Sequence, residues 1–245
     1  MLAIQDLFFS YSSTQTILRG ISCNIPLGKS IGLIGANGCG KSTLLALLAG
    51  IYSPGKGKIQ IDISGHKQKK SSLRRLTGLL LQDADLQIIG STVGEDLLLG
   101  LTKTDVSPEK KARDMAARFD LLPFWDLPVQ NLSGGQKRKL CLATTLLKSP
   151  QILLFDEPFS GLDYPGGKEL RSILRQNREQ EITQIISGHD LEPFLDLVDF
   201  LALMYQGQLI SLAPPQEVLP VVEKYSVRCP CSWRAGLGIM TWEGK

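Results

Sequence analysis

The sequence predicts an α/β fold, and three observations lead to it. Ser30 to Ile34 is a short apolar strand that runs into a glycine-rich turn, Gly35 to Gly40, and then into Thr43 to Ala49, a helical run without breakers closed by Gly50. Ile152 to Phe155 and Ile182 to Ile186 are continuous apolar runs of strand length, the pattern of strands buried on both faces of a parallel sheet. Glu109 to Phe119 and Gln136 to Leu147 carry helical spacing, which sets a helical subdomain apart from the strands around it.

The remaining elements follow the same logic. Residues 1 to 30 alternate short apolar runs with turn signals such as Leu27-Gly28-Lys29 and are read as strands. Lys58 to Ile63, after Pro54-Gly55, is another strand; the basic stretch His66 to Arg75 behind it is read as a solvated loop. From Val227 onward the text has no periodicity and is read as a tail. There is no internal repeat.

Composition excludes several classes. Twenty-seven basic residues against twenty-four acidic ones leave a net charge of +3, too near balance to imply nucleic acid by electrostatics alone. Five scattered cysteines, Cys23, Cys39, Cys141, Cys229 and Cys231, fit free thiols in a reducing compartment better than a disulfide framework. The opening MLAIQDLFFSYSS lacks a basic n-region and carries Asp6 early, so no signal peptide is expected. Nowhere do 18 or more apolar residues run together, and even Leu195 to Ile210 is broken by Asp196, Asp199, Gln206 and Gln208.

Three motifs carry chemistry. Gly35-Ala36-Asn37-Gly38-Cys39-Gly40-Lys41-Ser42, followed by Thr43, fits the phosphate-loop pattern and lies between a strand and a helix as that mechanism requires. Small residues let backbone N–H groups curl around phosphate oxygens, and the helix N-terminus adds partial positive charge. Lys41 would reach the β- and γ-phosphates of ATP, and Ser42 would ligate Mg²⁺ through its hydroxyl. Asp156-Glu157 places two carboxylates at the end of a buried strand, costly unless a cation or a reaction uses them. Asp156 suits the Mg²⁺ shell, and Glu157 is the candidate base for the attacking water. Leu132-Ser133-Gly134-Gly135-Gln136 opens a helix and offers a second anion site through Ser133 and exposed N–H groups.

In this order and spacing the three motifs resemble the ATP-binding cassette (ABC) family over about residues 1 to 213. The resemblance implies a P-loop NTPase core of mainly parallel sheet flanked by helices, with an antiparallel β subdomain and a helical subdomain at about 83–148. An ATPase domain would then span 1–225, with a tail of unassigned role at 226–245. It further implies a head-to-tail dimer, homo- or heteromeric, in which Ser133 to Gln136 of one subunit face the γ-phosphate held by Lys41 of the other. Gln82 matches the residue that senses Mg²⁺ and water, His189 the switch histidine that contacts the γ-phosphate and Glu157, Asp163 the loop crossing the dimer interface, and Tyr11 the aromatic stacked on adenine. Within the family, Leu81 to Gly100, with Gln87 and Glu95-Asp96, resembles the energy-coupling-factor importers of cobalt, nickel or vitamins.

The expected function is therefore the ATP-hydrolysing subunit of such an importer, peripheral on the cytoplasmic face of the membrane and docked onto separate transmembrane proteins, with no nucleic-acid partner. A soluble cassette ATPase acting on translation or DNA is the alternative; the tandem cassettes or long coiled-coil insertion usual in those types are absent here. A non-hydrolysing binding module is disfavoured by the presence of both Glu157 and His189. Cys229 and Cys231 cannot fill a four-ligand zinc site, and no histidine is near them in sequence.

Overall fold

The computed structural model describes residues 1–12, 15–63, 66–67 (backbone only), 73–101 and 106–243; most of the basic stretch between 64 and 72 lies outside them. By contact density the chain forms two compact units, one of residues 1–79 with 151–245 and one of residues 80–150.

The first unit holds two sheets. β1 (Leu2–Ser12), β2 (Gln15–Ile25), β4 (Lys56–Ile63) and β5 (His66–Lys67) form an antiparallel sheet in the order β2-β1-β4-β5. β1 buries Leu2, Ile4, Leu7 and Phe9, with a register irregularity between Ile4 and Leu7 where the strict alternation breaks. The second sheet runs β10 (Gln208–Ala213), β9 (Phe200–Tyr205), β3 (Ser30–Ile34), β8 (Thr183–Gly188), β7 (Ile152–Phe155), β6 (Thr77–Leu80). β3, β8 and β7 are mutually parallel, and every residue of all three is buried. This is why they read as unbroken apolar runs: no face of these strands meets water, and each fully buried Leu, Ile or Phe contributes about 1.5–3 kcal/mol. The apolar stretch Leu195 to Ile210 resolves into a 3₁₀ turn and the β9–β10 hairpin, whose tight turn uses Gln206 and Gly207 at positive φ.

α2 (Leu73–Leu76) and α7 (Pro215–Val218) are one-turn helices of this unit, and α2 buries Leu73 where the end of the basic stretch was expected to be a solvated loop; two longer helices matter for the site. α1 (Lys41–Leu48) follows β3 and ends as its glycine signalled, with Gly50 at φ +71°. α6 (Tyr164–Glu179) precedes β8 and is capped by Asp163, whose carboxylate accepts from the N–H of Gly166 at 2.9 Å.

The second unit is helical: α3 (Val93–Leu99), α4 (Pro108–Arg118) and α5 (Gly134–Leu147) pack through Leu97, Ala112, Ala116 and Leu140. α3 opens on a capping box formed by Thr92 and Glu95. Asp96 is buried yet satisfied, accepting from the N–H groups of Ile89 and Gly90 and from the Thr144 hydroxyl.

The segment read as a tail is packed structure. Val227 and Cys229 are buried, α8 (Cys231–Arg234) forms a short helix, and Trp242 and Glu243 reach α6. Periodicity could not reveal this, because each anchor contacts a partner far away in sequence rather than a helical or strand neighbour.

All five cysteines are free thiols, and among the described residues no group of three or more histidine, cysteine or acidic side chains is placed to hold a metal. Burial pushes the Cys23 thiol up to about 11 and Cys141 up to about 12, and also raises Cys39 and Cys229. Since the thiolate is the nucleophile, iodoacetamide at pH 8 should alkylate exposed Cys231 in the native protein and the other four only after denaturation. Peptide mass spectrometry reads this out; native labelling of Cys141 at the rate of Cys231 would contradict the packing described here.

Candidate active site

The topology gathers the functional residues of the first unit. β8 lies between β3 and β7, with Ile34 opposite Gly188 and Phe155 opposite Ile186, so the three parallel strands end side by side at one sheet edge. The glycine-rich loop leaves β3 there, Asp156-Glu157 leave β7, and His189 leaves β8. Open parallel sheets bind ligands outside the carboxyl ends of their strands.

Each group is held by identifiable contacts. Gly40 caps α1 at φ +106°, and a Cβ there would sit 2.7 Å from Leu18; glycine alone permits both the left-handed turn and the close approach. Lys41 is only 4% exposed, and its Nζ donates to the carbonyls of Gly35 at 2.9 Å and Ala36 at 3.4 Å. The same Nζ lies 3.5 Å from Glu157 Oε1, while His189 Nδ1 lies 3.2 Å from Glu157 Oε2. One carboxylate is thus gripped from two sides. The Ser42 hydroxyl donates to Asp156 Oδ1 at 3.0 Å.

Two features here were missed from the sequence. Ser187 donates to Asp156 Oδ1 at 2.8 Å and accepts from the Glu157 backbone N–H at 2.9 Å, tying the Asp156 carboxylate and the Glu157 main chain to β8. The only signal was a polar residue directly after the run Ile182 to Ile186. Glu157 itself sits at φ +44°, a left-handed conformation that costs a non-glycine residue about 1–3 kcal/mol and persists only where surrounding contacts impose it. Beside it, a cavity of about 290 Å³ is lined by Glu157, Phe159, Ser187, His189, Pro193 and Phe194.

Tyr11, at the end of β1, is exposed, shares a 3.1 Å hydrogen bond with the Thr43 hydroxyl, and meets Phe9 and Tyr52 in an edge-packed aromatic cluster. Asn37 and Gly38 are exposed on the loop, and Cys39 is buried beneath it. Asp163 caps α6 as described.

The second unit carries the rest. Ser133 and Gln136 form a capping box at the start of α5, the Ser133 Oγ accepting from the Gln136 N–H at 3.3 Å and Gln136 Oε1 accepting from the Ser133 N–H at 2.8 Å. Side chains added at Gly134 or Gly135 would meet nothing within 4 Å, and Ser133 to Gly135 are exposed, so the start of α5 is uncrowded. Gln82 follows β6, and its carbonyl accepts from Arg138 at 2.9 Å.

Comparison with known proteins agrees with this picture. The family model described as "ABC transporter" matches residues 18–160. The energy-coupling factor transporter ATP-binding protein EcfA of Methanocaldococcus jannaschii is 35% identical over 92% of this chain and 84% of its own length. The cobalt import ATP-binding protein CbiO of Rhodobacter capsulatus is 34% identical over 89% and 80%. The solved structure of CbiO1 from Clostridium perfringens, described as part of the ABC transporter complex cbiONQ, superposes with a TM-score of 0.75 at 31% identity and covers 96% of each chain. The chain belongs to the ABC transporter family, as one of its ATP-binding, ATP-hydrolysing subunits.

Proposed function

We propose that this subunit powers an energy-coupling-factor-type importer of a metal ion or a vitamin from the cytoplasmic face of the membrane, as half of a head-to-tail ATPase dimer docked on separate transmembrane proteins. The convergence of Lys41, Ser42, Asp156, Glu157 and His189 at the ends of three adjacent parallel strands carries the catalytic part of this reading. The names of its relatives, and the placement of a similar subunit within a transport complex, support the rest. Among the described residues no helix is long and apolar enough to cross a membrane, so a partner would supply the path. Leu86, Ile89 and Leu99 are exposed apolar side chains of the second unit, suited to docking on such a partner.

The site fits Mg²⁺: a hydroxyl and a carboxylate already in contact, Ser42 and Asp156, give a hard cation two oxygen ligands, and nucleotide and water complete its shell. Bound there, the ion neutralises charge that develops on the phosphates. The loop from Gly35 to Thr43 cradles the phosphates with backbone N–H groups, and Tyr11 offers a face to the adenine. Lys41 has two claims on it, the phosphates and Glu157. When a γ-phosphate takes the ammonium, Glu157 keeps only its contact to His189 and is free to accept a proton from the attacking water. His189 holds that carboxylate in place, Gln82 reports the state of the site, and Ser133 to Gln136 with Asp163 complete the partner subunit's site.

This reading is tested by affinity purification from detergent-solubilised membranes, with identification of the co-purifying proteins and assay of Mg²⁺-dependent ATP hydrolysis. A multi-spanning membrane protein should accompany the chain; recovery with ribosomes or DNA-repair proteins instead would overturn the transport assignment.

Coupling gives a sharper expectation. Gln87 ties its loop to α5, accepting from the Leu81 N–H at 2.9 Å and donating to the Thr145 hydroxyl at 3.0 Å, and Asp85 pairs with Lys137 at 2.6 Å. The Asp85 pair is exposed and worth at most about 1 kcal/mol, and each Gln87 hydrogen bond roughly 1 kcal/mol, so substitution loosens the loop without unfolding the chain. Asp85→Ala and Gln87→Ala should keep basal ATPase within about threefold and lower cargo uptake in reconstituted vesicles by about tenfold or more, a loss of roughly 1.4 kcal/mol of coupling or more. Normal uptake would remove the segment from the coupling path.

A further inference from the structure

The carboxy-terminal segment contacts α6, which follows the Glu157 to Gly161 side of the cavity, and Glu192 in the stretch that forms its other side. Arg171 of α6 is fully buried, a position a guanidinium occupies only with its charge and donors satisfied. It forms a bidentate pair with Asp196, Nη1 to Oδ1 at 2.8 Å and Nη2 to Oδ2 at 2.6 Å, and donates to the Pro193 carbonyl at 2.6 Å. Its Nε donates to Glu243 Oε1 at 2.9 Å, and its guanidinium lies 5.8 Å from the centroid of the Trp242 ring. Pro193 lines the cavity beside Glu157 and His189. Arg171 therefore joins α6, the stretch following His189 and the chain's last described residues. The hydrogen bond from Arg171 holds the Glu243 carboxyl below its ordinary value, so the pair is ionised at neutral pH.

A second contact is independent of charge. Trp242 packs on Tyr164 with ring centroids 5.1 Å apart, and a Cβ at Gly167 would meet the Trp242 ring at 2.9 Å. Gly167 lies inside α6 and is not among the positive-φ glycines, so its backbone does not require glycine. The approach of Trp242 does. Both contacts fall in the first two turns after Asp163, which caps the helix. At its other end the segment is anchored where the Cys231 N–H donates to Glu192, three residues beyond His189, at 2.8 Å.

We propose that the carboxy-terminal segment is a positioning strap: Trp242 and Glu243, acting through Gly167 and Arg171, set the register of the Asp163 helix against the His189 segment. This rests on the reading above that Glu157, His189 and Asp163 serve hydrolysis. Trp242, Glu243 and Arg171 are positioning residues that touch no reacting atom. Small displacements of groups around a reacting centre lower turnover by on the order of ten- to a hundredfold, whereas the phosphate loop and its affinity for ATP lie outside the strap.

The test is steady-state ATP hydrolysis by the full chain carrying Trp242→Ala, Trp242→Phe or Gly167→Ala, with Glu157→Gln assayed alongside. Trp242→Ala and Gly167→Ala should lower kcat by at least about tenfold while KM for ATP moves by less than about twofold, and Trp242→Phe should recover most of the activity. Gly167→Ala decides the matter if Trp242→Ala folds poorly, because alanine at a helical position otherwise favours the helix. Wild-type kcat in Gly167→Ala, or a loss that follows the folded fraction and is not recovered by Trp242→Phe, would overturn the strap. If Glu157→Gln hydrolyses normally, the underlying site assignment fails; if it is inactive while the strap variants turn over normally, the strap alone fails.

Discussion

Glu157→Gln should bind Mg-ATP with near-normal affinity and hydrolyse it about a hundred- to a thousandfold more slowly, a barrier increase of about 3 to 4 kcal/mol. Glutamine keeps the shape of the side chain and its hydrogen bonding but cannot take a proton from water. The side chain is 13% exposed and engaged by Lys41 on one oxygen and His189 on the other, so the carboxylate is held in one place for its task. If ATP is held as proposed, between Lys41 of one subunit and Ser133 of another, the variant should be a dimer by light scattering in ATP and a monomer without it. Adding Ser133→Arg, which places bulk and charge at the open start of α5, should abolish that dimer. Wild-type turnover in Glu157→Gln would show that the catalytic base lies elsewhere.

Lys41→Ala should lose ATP binding, with affinity falling by at least about a hundredfold, or roughly 2.7 kcal/mol, by isothermal titration. In the proposed site the ammonium is the cation that meets the phosphates, and in the structure it bridges the Gly35 and Ala36 carbonyls to Glu157. Its removal leaves a largely buried carboxylate without its main counter-charge, so the variant should also melt lower; breaking such a pair costs about 3–5 kcal/mol when burial is complete and less here, where Glu157 keeps some solvent contact. The two effects separate in Lys41→Ala/Glu157→Gln, which should recover stability because no charge is orphaned, yet still fail to bind nucleotide. Unchanged affinity in Lys41→Ala would dismiss the loop as the phosphate site.

The sequence alone determined the elements whose physics is local or periodic. The strand, glycine-rich loop and helix from Ser30 to Gly50 are written in turn chemistry and apolar runs, as are the buried strands Ile152–Phe155 and Thr183–Gly188 and the cap at Ser133. The sequence also singled out Lys41, Ser42, Asp156 and Glu157, because phosphate and Mg²⁺ chemistry needs those residue types at those spacings, and the structure brings them into contact in pairs. Only the tertiary structure decided what depends on contacts between distant residues. Ser187 grips Asp156 from 31 positions away, the left-handed backbone at Glu157 is imposed by its surroundings, and Arg171 meets Glu243 across 72 positions. No periodicity marks such pairs. The closing segment looked featureless because its order comes from the surface it covers, where a glycine in α6 admits a tryptophan and a buried arginine requires a carboxylate.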